Sequence, residues 1–392
     1  MLLIKNADVY APEHMGKKDI LICGEHIEVI ADRIESLPGP CKVLEAEGLC
    51  LTPGLMDQHV HVTGGGGEGS FHTRTPEVEL SELIRGGVTT VLGLLGTDGM
   101  TRSVENLYAK TAALQEEGVT AYMLTGAYGN PGPTITGEPD RDMVFIREVL
   151  GLKLAISDHR APHVTTRELI QLASKVRVAG MLSGKPGMLV LHMGDDPACL
   201  DPVFEALRDS QVPVPIFRPT HVNRNPALLE AGWKFLEMGG YVDLTCGMKG
   251  QPSPGECIRK ALERGLSTDH LTVSSDGHGS WSAYAEDGTL LEIGVSGVDS
   301  LLKELAVMVK ELGFGLEEAL PYVTSHVAEA LGLGSVKGYV REGQDADLLL
   351  LTPQMELRGV IARGAVMMEE GELKQWGTYG EARPLIRKKE IS

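Results

Sequence analysis

The sequence lacks long hydrophobic runs and an excess of positive charge. Its longest apolar stretches, such as the four leucines at positions 348–351, are far shorter than the ~20 residues that a membrane-spanning helix requires. Lys and Arg number 36 against 54 Asp and Glu, which gives a net charge of −18. A strongly acidic protein is repelled by nucleic-acid backbones and by anionic lipid surfaces. We therefore expect no nucleic acid and no membrane among its partners.

Cysteine is scarce as well. The six cysteines are scattered, and no two of them form a Cys-x-x-Cys pair. The apolar N-terminus is interrupted at Lys5, which is not typical of a secretory signal peptide. Both observations favour a reducing, cytoplasmic location. The remaining composition, with 42% hydrophobic and 23% charged residues, is typical of a globular protein.

The length of 392 residues predicts more than one domain, because single hydrophobic cores stop growing at roughly 250–300 residues. Residues 1–52 consist of short β-rich runs separated by turn residues, and the sequence returns to this character near residue 336. Chain termini often lie close together. We therefore predict that residues 1–52 and 336–392 form one small flanking β-sandwich domain; two independent β-appendages are the alternative.

Residues 53–335 alternate short buried runs with amphipathic stretches of helical length. Two helices are predicted over 102–117 and 166–182, the first with Val104, Leu107, Tyr108 and Leu114 on one side. Eight candidate strands end near the following residues: His61, Leu95, Gly126, Ser157, His192, His221, Thr245 and Asp276. Eight strand–helix units predict an α/β protein with a (β/α)8 TIM barrel, and a doubly wound open sheet is the alternative.

Four of the 12 histidines stand at the ends of candidate strands: His59, His61, His192 and His221. In a TIM barrel this rim holds the active site. Alternate residues of a strand share a face, so both imidazoles of a His-x-His pair can converge on one metal ion. A hydrogen-bonded core pair or surface pair remains the simpler interpretation of His59 and His61 taken alone.

Lys153 and Asp276 stand at two further candidate strand ends. Burial of an unpaired ammonium costs several kcal/mol or lowers the lysine pKa strongly. Lys153 therefore has two interpretations: its amine extends to solvent, or it reacts with carbon dioxide to give a carbamate that bridges two metal ions. Asp276 is either a helix cap or a metal ligand.

The ordered set of His-x-His, Lys, His, His and Asp resembles the amidohydrolase superfamily. Residues 53–61, PGLMDQHVH, are similar to the PGxxDxHVH signature of dihydroorotases and hydantoinases, and GYVREGQDADLLLL resembles the segment that returns to the β-domain. The resemblance implies a binuclear centre of two divalent metal ions. In it His59, His61 and Asp276 hold one ion, His192 and His221 hold the other, and carboxylated Lys153 bridges them. Zn²⁺ is the default metal, and cobalt, manganese or nickel also suit these ligands.

Six loops show a narrower resemblance, to isoaspartyl dipeptidases, which cleave dipeptides joined through the aspartate side chain. The loops cover residues 58–79, 93–99, 125–131, 153–160, 221–226 and 274–280. The zwitterionic substrate has one ammonium and two carboxylates, so it needs an anion and several cations. Glu68 is the predicted partner of the ammonium, and the arginines offer forked donors to carboxylates. The implied substrate contacts are Gly66, Gly67, Glu68, Thr97, Tyr128, Arg160, Arg224 and Ser280.

The resemblance implies metal-assisted hydrolysis of the β-aspartyl isopeptide bond, with attack by a hydroxide that bridges the two ions. Asp276 is expected to take the proton and to pass it to the departing amine, and Tyr128 to hydrogen-bond the carbonyl oxygen. The first alternative is a cyclic-amide hydrolase of the hydantoinase, dihydropyrimidinase or dihydroorotase type. The second is a non-catalytic scaffold, which is disfavoured because every ligand position is filled. Relatives form homo-oligomers, so we expect one here.

Overall fold

The chain begins with strands of a mixed sheet. The computed structural model describes residues 1–35, 37, 39–285 and 289–380. The first strands are β1 (Leu2–Tyr10), β2 (His14–Cys23), β3 (His26–Ala31), β4 (Lys42–Glu45) and β5 (Cys50–Pro53). β1 pairs antiparallel with β2 and parallel with β4 and β5.

Strands and helices then alternate. In order these are β6 (Leu55–Val60), α1 (Leu80–Arg85), β7 (Val88–Gly93), α2 (Val104–Glu117), β8 (Thr120–Gly126), α3 (Pro139–Phe145), β9 (Val149–Ile156), α4 (Thr166–Ser183), β10 (Met188–Met193), α5 (Asp201–Arg208), β11 (Phe217–Thr220), α6 (Pro226–Glu237), β12 (Val242–Thr245), α7 (Pro254–Glu263) and β13 (Leu271–Ser274). Each strand from β6 to β13 ends within two residues of a predicted strand end.

The last part of the chain adds a hairpin, three helices and four strands. These are β14 (Ser280–Tyr284), β15 (Leu290–Val295), α8 (Ser300–Lys310), α9 (Leu316–Ala319), α10 (Ser325–Ala330), β16 (Leu348–Leu351), β17 (Leu357–Ala362), β18 (Ala365–Glu369) and β19 (Glu372–Leu373). Short 3-10 helices cover Phe71–Thr73, Val214–Ile216, Val222–Arg224 and Leu320–Val323. The β14–β15 hairpin was not predicted from the sequence.

The parallel strands follow one another in sequence order and curl. β6 to β11 form a continuous parallel ladder, and β12 pairs in parallel with β13. A parallel bridge between Val60 and Gly277 brings the segment after β13 against the end of β6. A doubly wound sheet reverses its strand order at a switch point. The sequential order and the contact between first and last units therefore exclude that alternative and place all eight C-terminal strand ends at one rim.

Two predicted helices are confirmed, with one correction on their packing. α4 begins with a capping box in which Thr165 and Glu168 each bond the other's backbone N–H. α2 buries Val104, Leu107, Thr111 and Leu114. Tyr108 was predicted on that buried side but is 39% exposed. It lies about 100° around the helix from Leu107, at the edge of the stripe that spacings of three and four residues produce.

The two ends of the chain share one sheet. β5 pairs antiparallel with β16, so that Leu349 faces Thr52 and Leu351 faces Cys50, and the strand order is β19-β18-β17-β16-β5-β1-β2-β3 with β4 on β1. Two independent β-appendages are therefore excluded. Alternate leucines of β16 pack into different clusters: Leu348 packs within the β-rich ends, and Leu349 packs toward the parallel strands. The two-layered sandwich stays a prediction.

Within the described ranges, none of the helices combines the length and hydropathy that crossing a lipid bilayer needs. All six cysteines are free thiols in the part of the chain that the structure describes.

Candidate metal centre and substrate pocket

The six predicted metal ligands meet at the rim where the parallel strands end. His59 and His192 are the penultimate residues of β6 and β10, and Lys153 lies three residues before the end of β9. His61, His221 and Asp276 lie one or two residues beyond β6, β11 and β13. Parallel pairing of β9 with β10 positions two of these residues, because Lys153 is paired with Val190 and His192 with Ala155. Residues far apart in the sequence thereby share one end of the sheet.

Asp276 and Lys153 both lie close to the His-x-His pair. The carboxylate oxygen Oδ1 of Asp276 lies 3.2 Å from Nε2 of His61 and 3.6 Å from Nε2 of His59. The amine Nζ of Lys153 lies 3.1 Å from the same Nε2 of His59. Asp276 adopts a φ of +53°, a left-handed conformation that Asp tolerates better than most residues. The turn after β13 therefore directs its carboxylate back toward the strand ends.

His221 and His192 complete the cluster. The ring centroid of His221 lies 4.9 Å from that of His59 and 4.8 Å from that of His192. Nδ1 of His221 lies 2.8 Å from the hydroxyl of Thr245, which leaves its Nε2 available to the centre of the cluster. Nδ1 of His192 lies 2.7 Å from the hydroxyl of Tyr128.

These residues fit a divalent metal centre. Ligand atoms of His59, His221 and Asp276 all lie within 4.8 Å of one another. Oδ1 of Asp276 and Nδ1 of His61 are buried and have no hydrogen-bond partner within the described residues. A buried polar atom without a partner is costly unless an ion or water satisfies it. Imidazole and carboxylate donors are the ligands that Zn²⁺ and related ions prefer.

Burial controls the protonation of the cluster. It lowers the pKa of His59, His192 and His221 well below that of a free histidine, so these imidazoles are neutral. Burial alone would raise the pKa of Asp276, but the close approach of His61 and the neighbouring basic groups of His221 and Lys153 lower it overall. Burial also lowers the pKa of Lys153 to about 7, although Asp276 acts in the opposite direction. Neutral imidazole and ionised carboxylate are the forms that bind metal.

Asp57 supports the His-x-His strand from behind, a role that the sequence analysis missed. Its Oδ1 accepts hydrogen bonds from the backbone N–H groups of His59 and Ser275, at 3.2 Å each, and Ser275 donates its hydroxyl to Oδ2. Burial raises the pKa of Asp57 to about 7. Because it joins β6 to the segment after β13, this aspartate holds the strand of the His-x-His pair next to the turn that bears Asp276. The position of Asp57 in the motif PGLMDQHVH, two residues before His59, could have indicated this role.

A cavity of about 890 Å³ opens over the cluster. The predicted ligands His61, His192, His221 and Asp276 line it. Its wall also contains the predicted substrate contacts Gly66, Glu68, Thr97, Tyr128, Arg160, Arg224 and Ser280. Gly67 does not line this cavity; its φ of +102° turns the chain between Gly66 and Glu68. The structure therefore brings seven of the eight predicted substrate contacts to one cavity with four of the predicted metal ligands.

The glycine-rich loop is held close to its neighbours. Gly64 and Gly66 adopt φ values of +79° and +77°, and a Cβ at Gly64 would lie 2.3 Å from the carbonyl oxygen of Thr75. The buried guanidinium of Arg102 donates to the carbonyls of Gly65 and Thr75, at 3.1 and 2.9 Å. Only glycine satisfies both the φ and the close approach. Arg102 was not among the predicted site residues, and nothing in the sequence near it signalled this role.

The Glu68 carboxylate lies inside the cavity within a polar network. The hydroxyl of Ser280 donates to its Oε2 at 2.8 Å, and the hydroxyl of Thr97 lies 3.3 Å from Oε1. NH1 of Arg160 is 3.6 Å from Oε1, and the side chain of Glu68 is only 6% exposed. Ser280 and Thr97 therefore fix the position of the one carboxylate that the sequence analysis assigned to an ammonium.

The two arginines lie on the His192 side of the cavity. Nε2 of His192 is 3.5 Å from NH2 of Arg160 and 3.5 Å from NH1 of Arg224. Arg224 also donates to the carbonyl of Met193 at 2.6 Å. The guanidinium of Arg160 lies 5.4 Å from the ring centre of Tyr128. Burial raises the pKa of Tyr128 above its usual value, so its hydroxyl stays protonated and able to donate.

Two features of the cavity escaped the sequence analysis. Asp158 is buried and contacts both His192 and Arg160, at 3.1 and 2.8 Å. Burial alone would raise its pKa, but the hydrogen bonds of Arg160 and His192 lower it strongly. The second feature is the β14–β15 hairpin, from which Trp281 lines the cavity. The motif KLAISDHR contains Asp158 beside Lys153 and Arg160 and was the signal that could have found it.

Comparisons with known proteins identify a matching family model and similar structures. Residues 256–367 match the model of the amidohydrolase family. The crystal structure of a β-aspartyl dipeptidase from Fervidobacterium islandicum AW-1 in complex with a β-Asp-Leu dipeptide is similar at 39% identity. The match covers 95% of this chain and 97% of that chain, with a TM-score of 0.91. The D-hydantoinase of Thermus sp. shares the fold at 16% identity, with 97% and 98% of the chains covered and a TM-score of 0.70.

A further sequence match covers only part of the chain. The dihydroorotase of Staphylococcus aureus (strain Mu50 / ATCC 700699) is 38% identical over 109 residues, which is 28% of this chain. The match spans only a quarter of the length of that enzyme.

Proposed function

The chain belongs to the β-aspartyl dipeptidases of the amidohydrolase family, and from this premise we propose that it hydrolyses the isopeptide bond of isoaspartyl dipeptides. One observation supports this function above the others. A single cavity is lined by four of the predicted metal ligands, His61, His192, His221 and Asp276, and also by the carboxylate of Glu68 and the guanidinium groups of Arg160 and Arg224. That combination of charges complements a small zwitterion with a free ammonium and two carboxylates.

Two divalent cations, by default Zn²⁺, are the proposed cofactors. His59, His61 and Asp276 would hold one of them, and His192 and His221 the other. When bound, such ions lower the pKa of water from 15.7 toward roughly 7 and polarise an amide carbonyl. The neutral imidazoles and the unpartnered oxygen of Asp276 support this assignment.

Lys153 is proposed to join the two sites as a carbamate. Its buried amine has a pKa lowered to about 7, so a large share is unprotonated near neutral pH. The nitrogen lone pair attacks carbon dioxide, a C–N bond forms, and one proton leaves to solvent. The product is an anion with two oxygens in place of a buried cation, which removes the repulsion between an ammonium and two metal ions.

Asp276 and Tyr128 are the proposed catalytic residues. Oδ1 of Asp276, which has no hydrogen-bond partner within the described residues, would accept a proton from the attacking water and later deliver it to the departing amine nitrogen. The hydroxyl of Tyr128 donates to the scissile carbonyl oxygen as negative charge develops there. Its raised pKa supports this role, because the hydroxyl retains its proton.

Substrate recognition is proposed to use charge on both sides of the cavity. Glu68, oriented by Ser280 and Thr97, accepts the substrate ammonium. Arg224 and the remaining NH1 donor of Arg160 would donate hydrogen bonds to the substrate carboxylates. Backbone groups of Gly66 and Gly67 add minor contacts, and Ser280 offers its hydroxyl to the substrate.

A cyclic-amide hydrolase is the second candidate, favoured by the partial match to dihydroorotase. Cyclic substrates of the dihydropyrimidine kind have no ammonium, so Glu68 would have no partner in that reaction. We therefore rank this activity below isoaspartyl hydrolysis.

We also propose a division into two domains, a homo-oligomeric assembly and a cytoplasmic location. Residues 1–52 and 336–392 would form a β-sandwich domain beside a TIM barrel over 53–335, a proposal supported by the sheet that joins the two ends. Residues 381–392 of that domain lie outside the described residues. A homo-oligomer in the cytoplasm is expected from the family resemblance.

The test is a substrate panel. Purified protein of known metal content would be assayed on β-aspartyl-leucine, α-aspartyl-leucine and dihydrouracil. We expect turnover of β-aspartyl-leucine alone. Comparable turnover of dihydrouracil would favour the cyclic-amide hydrolase and contradict the proposal.

A further inference from the structure

Asp158 contacts a predicted metal ligand and a predicted substrate ligand at the same time. Its Oδ2 lies 3.1 Å from Nε2 of His192 and 2.8 Å from NH2 of Arg160. Its Oδ1 accepts from Nε of Arg160 at 2.9 Å. Asp158 itself is 3% exposed. One buried carboxylate therefore uses both oxygens on two side chains that the proposed function places in different roles.

The local backbone is built to hold this carboxylate. Ser157 adopts a φ of +51° and donates its hydroxyl to the carbonyl of Cys199 at 2.7 Å. The backbone N–H of Arg160 donates to Oδ1 of Asp158 at 2.8 Å. A Cβ at Gly194 would lie 2.4 Å from Cβ of Asp158, so only glycine leaves room for this side chain. The left-handed backbone of Ser157 and the absence of a side chain at Gly194 together determine the position of Asp158.

The contact with His192 selects one form of the imidazole. An ionised carboxylate only accepts hydrogen bonds, so the ring nitrogen that faces it, Nε2, bears the proton. The other nitrogen, Nδ1, then keeps its lone pair. Histidines that bind metal generally donate their second ring N–H to a carboxylate or carbonyl in this way. Nδ1 of His192 faces the hydroxyl of Tyr128 inside the cluster.

The contact with Arg160 orients the guanidinium. Nε and NH2 are both engaged by the carboxylate in a forked pair, so NH1 is directed toward Glu68 and Thr97, at 3.6 and 3.4 Å. This pair fixes the plane of the guanidinium, so NH1 of Arg160 is held in one orientation for a ligand.

We propose that Asp158 is a positioning residue that serves both halves of the site: it fixes the His192 tautomer for one metal ion and holds Arg160 for a substrate carboxylate. The Arg160 half rests on the proposed function, whereas the His192 half concerns metal binding alone. The simpler alternative is that Asp158 only neutralises Arg160, in which case metal binding would not depend on it.

Asp158→Asn separates the two interpretations. The variant keeps the size of the side chain but turns one acceptor into a donor, so it cannot serve both partners. We expect Zn²⁺ affinity, measured by competition with a chelator in the absence of substrate, to fall roughly 10- to 100-fold for one of the two ions. We also expect the KM for β-aspartyl-leucine to rise.

Two matched variants serve as controls. Arg160→Gln should raise KM while Zn²⁺ affinity stays within about twofold, because His192 keeps Asp158. Asp209→Asn removes the exposed pair with Arg208, 2.9 Å apart, and should change neither quantity. An Asp158→Asn protein that binds both ions as tightly as the parent would overturn the proposal, even if its KM rises.

A measurement on the parent protein covers the case in which Asp158→Asn does not fold. The ¹⁵N chemical shifts of His192 in metal-free protein report which ring nitrogen bears the proton. We expect the proton on Nε2, and a proton on Nδ1 would contradict the assigned tautomer. If the parent protein does not hydrolyse β-aspartyl-leucine at all, the proposed function fails, but the metal affinity and the tautomer still decide the role of Asp158 toward His192.

Discussion

The amine of Lys153 lies 3.1 Å from Nε2 of His59, at the buried end of the parallel strands. Both groups are basic, and Lys153 is 1% exposed, so an ammonium there would be deprived of water beside further imidazoles. Burial lowers the pKa of Lys153 to about 7, although Asp276 and Asp243 act in the opposite direction. A lysine in this position is suited to reaction as a neutral amine rather than to a structural ion pair.

Replacing Lys153 tests whether it bridges the two metal ions as a carbamate. Lys153→Ala should lose metal and lower kcat by at least about a thousandfold, because the proposed anion between the two ions is gone. Added short-chain carboxylic acids should restore part of the rate, since they can supply the missing oxygens. Metal content by mass spectrometry and the rate with and without propionate are the measurements. Full metal content with an unaided parental rate would show that Lys153 has no bridging role.

Asp276→Asn should abolish turnover while the fold is retained. Asn tolerates the left-handed φ of +53° at this position, so the backbone is not strained by the change. The variant loses an anionic ligand and the proposed proton carrier together, and we expect kcat to fall by at least roughly 10³. The thermal unfolding midpoint should shift little. An enzyme with this substitution and a parental kcat would refute the role of Asp276.

Glu68 should matter only for substrates with an ammonium. Glu68→Gln is expected to lower kcat/KM for β-aspartyl-leucine by about 10- to 100-fold, the loss typical of a hydrogen bond to a charged group. Succinyl-leucine has the same amide and carboxylates but no ammonium, so the variant should treat it as the parent does. A similar loss on both substrates would mean that Glu68 acts on the fold of the loop and not on the ammonium.

A buried ion pair makes a separate prediction about stability. Lys337 is 3% exposed in its side chain, lies 2.7 Å from Asp345 and contacts Asp347 still more closely. Lys337→Met would leave these carboxylates without a buried partner and should lower the free energy of unfolding by about 3–5 kcal/mol. Lys303→Met, at an exposed pair with Asp299, should cost no more than about 0.5 kcal/mol. Urea denaturation of the two variants makes the comparison.

The same pair predicts a pH dependence at high pH. Burial alone would lower the pKa of Lys337, but Asp347 and Asp345 raise it overall. The contribution of Lys337 to stability is therefore complete below the unfolded lysine pKa of about 10.4 and is lost as the pH rises through the higher folded pKa. The stability difference between the parent and Lys337→Met should shrink above that pH, and a difference that grows instead would contradict the assignment.

The sequence predicted those site residues that lie at the ends of regularly alternating strands and helices. The strand ends that bear His59 and His192 could be located because buried runs and amphipathic helices alternate regularly from β6 onward. Asp158 could not be found in this way, because its position depends on a left-handed turn at Ser157 and on the room left by Gly194. The first is a local backbone conformation and the second is a tertiary contact, and neither produces a periodic pattern along the chain.

The β14–β15 hairpin was missed for a related reason. It follows the loop after β13, where the expected unit was a helix, and Trp281 packs against Gly294 across the hairpin. Tyr108 was misplaced within a correctly predicted helix. It follows Val104 by four residues and lies at the edge of the buried face of α2. Pairing between β5 and β16 decided that both chain ends share one sheet, which composition alone could not decide.

The central claim is that six side chains from distant parts of the sequence hold two divalent cations at one rim. Crystals grown with excess zinc and bicarbonate, with anomalous scattering measured at the zinc edge, test it most directly. We predict two zinc peaks, one beside His59, His61 and Asp276 and one beside His192 and His221, with carbamate density on Lys153. A map with no zinc among these residues, and with their side chains directed apart, would contradict the account.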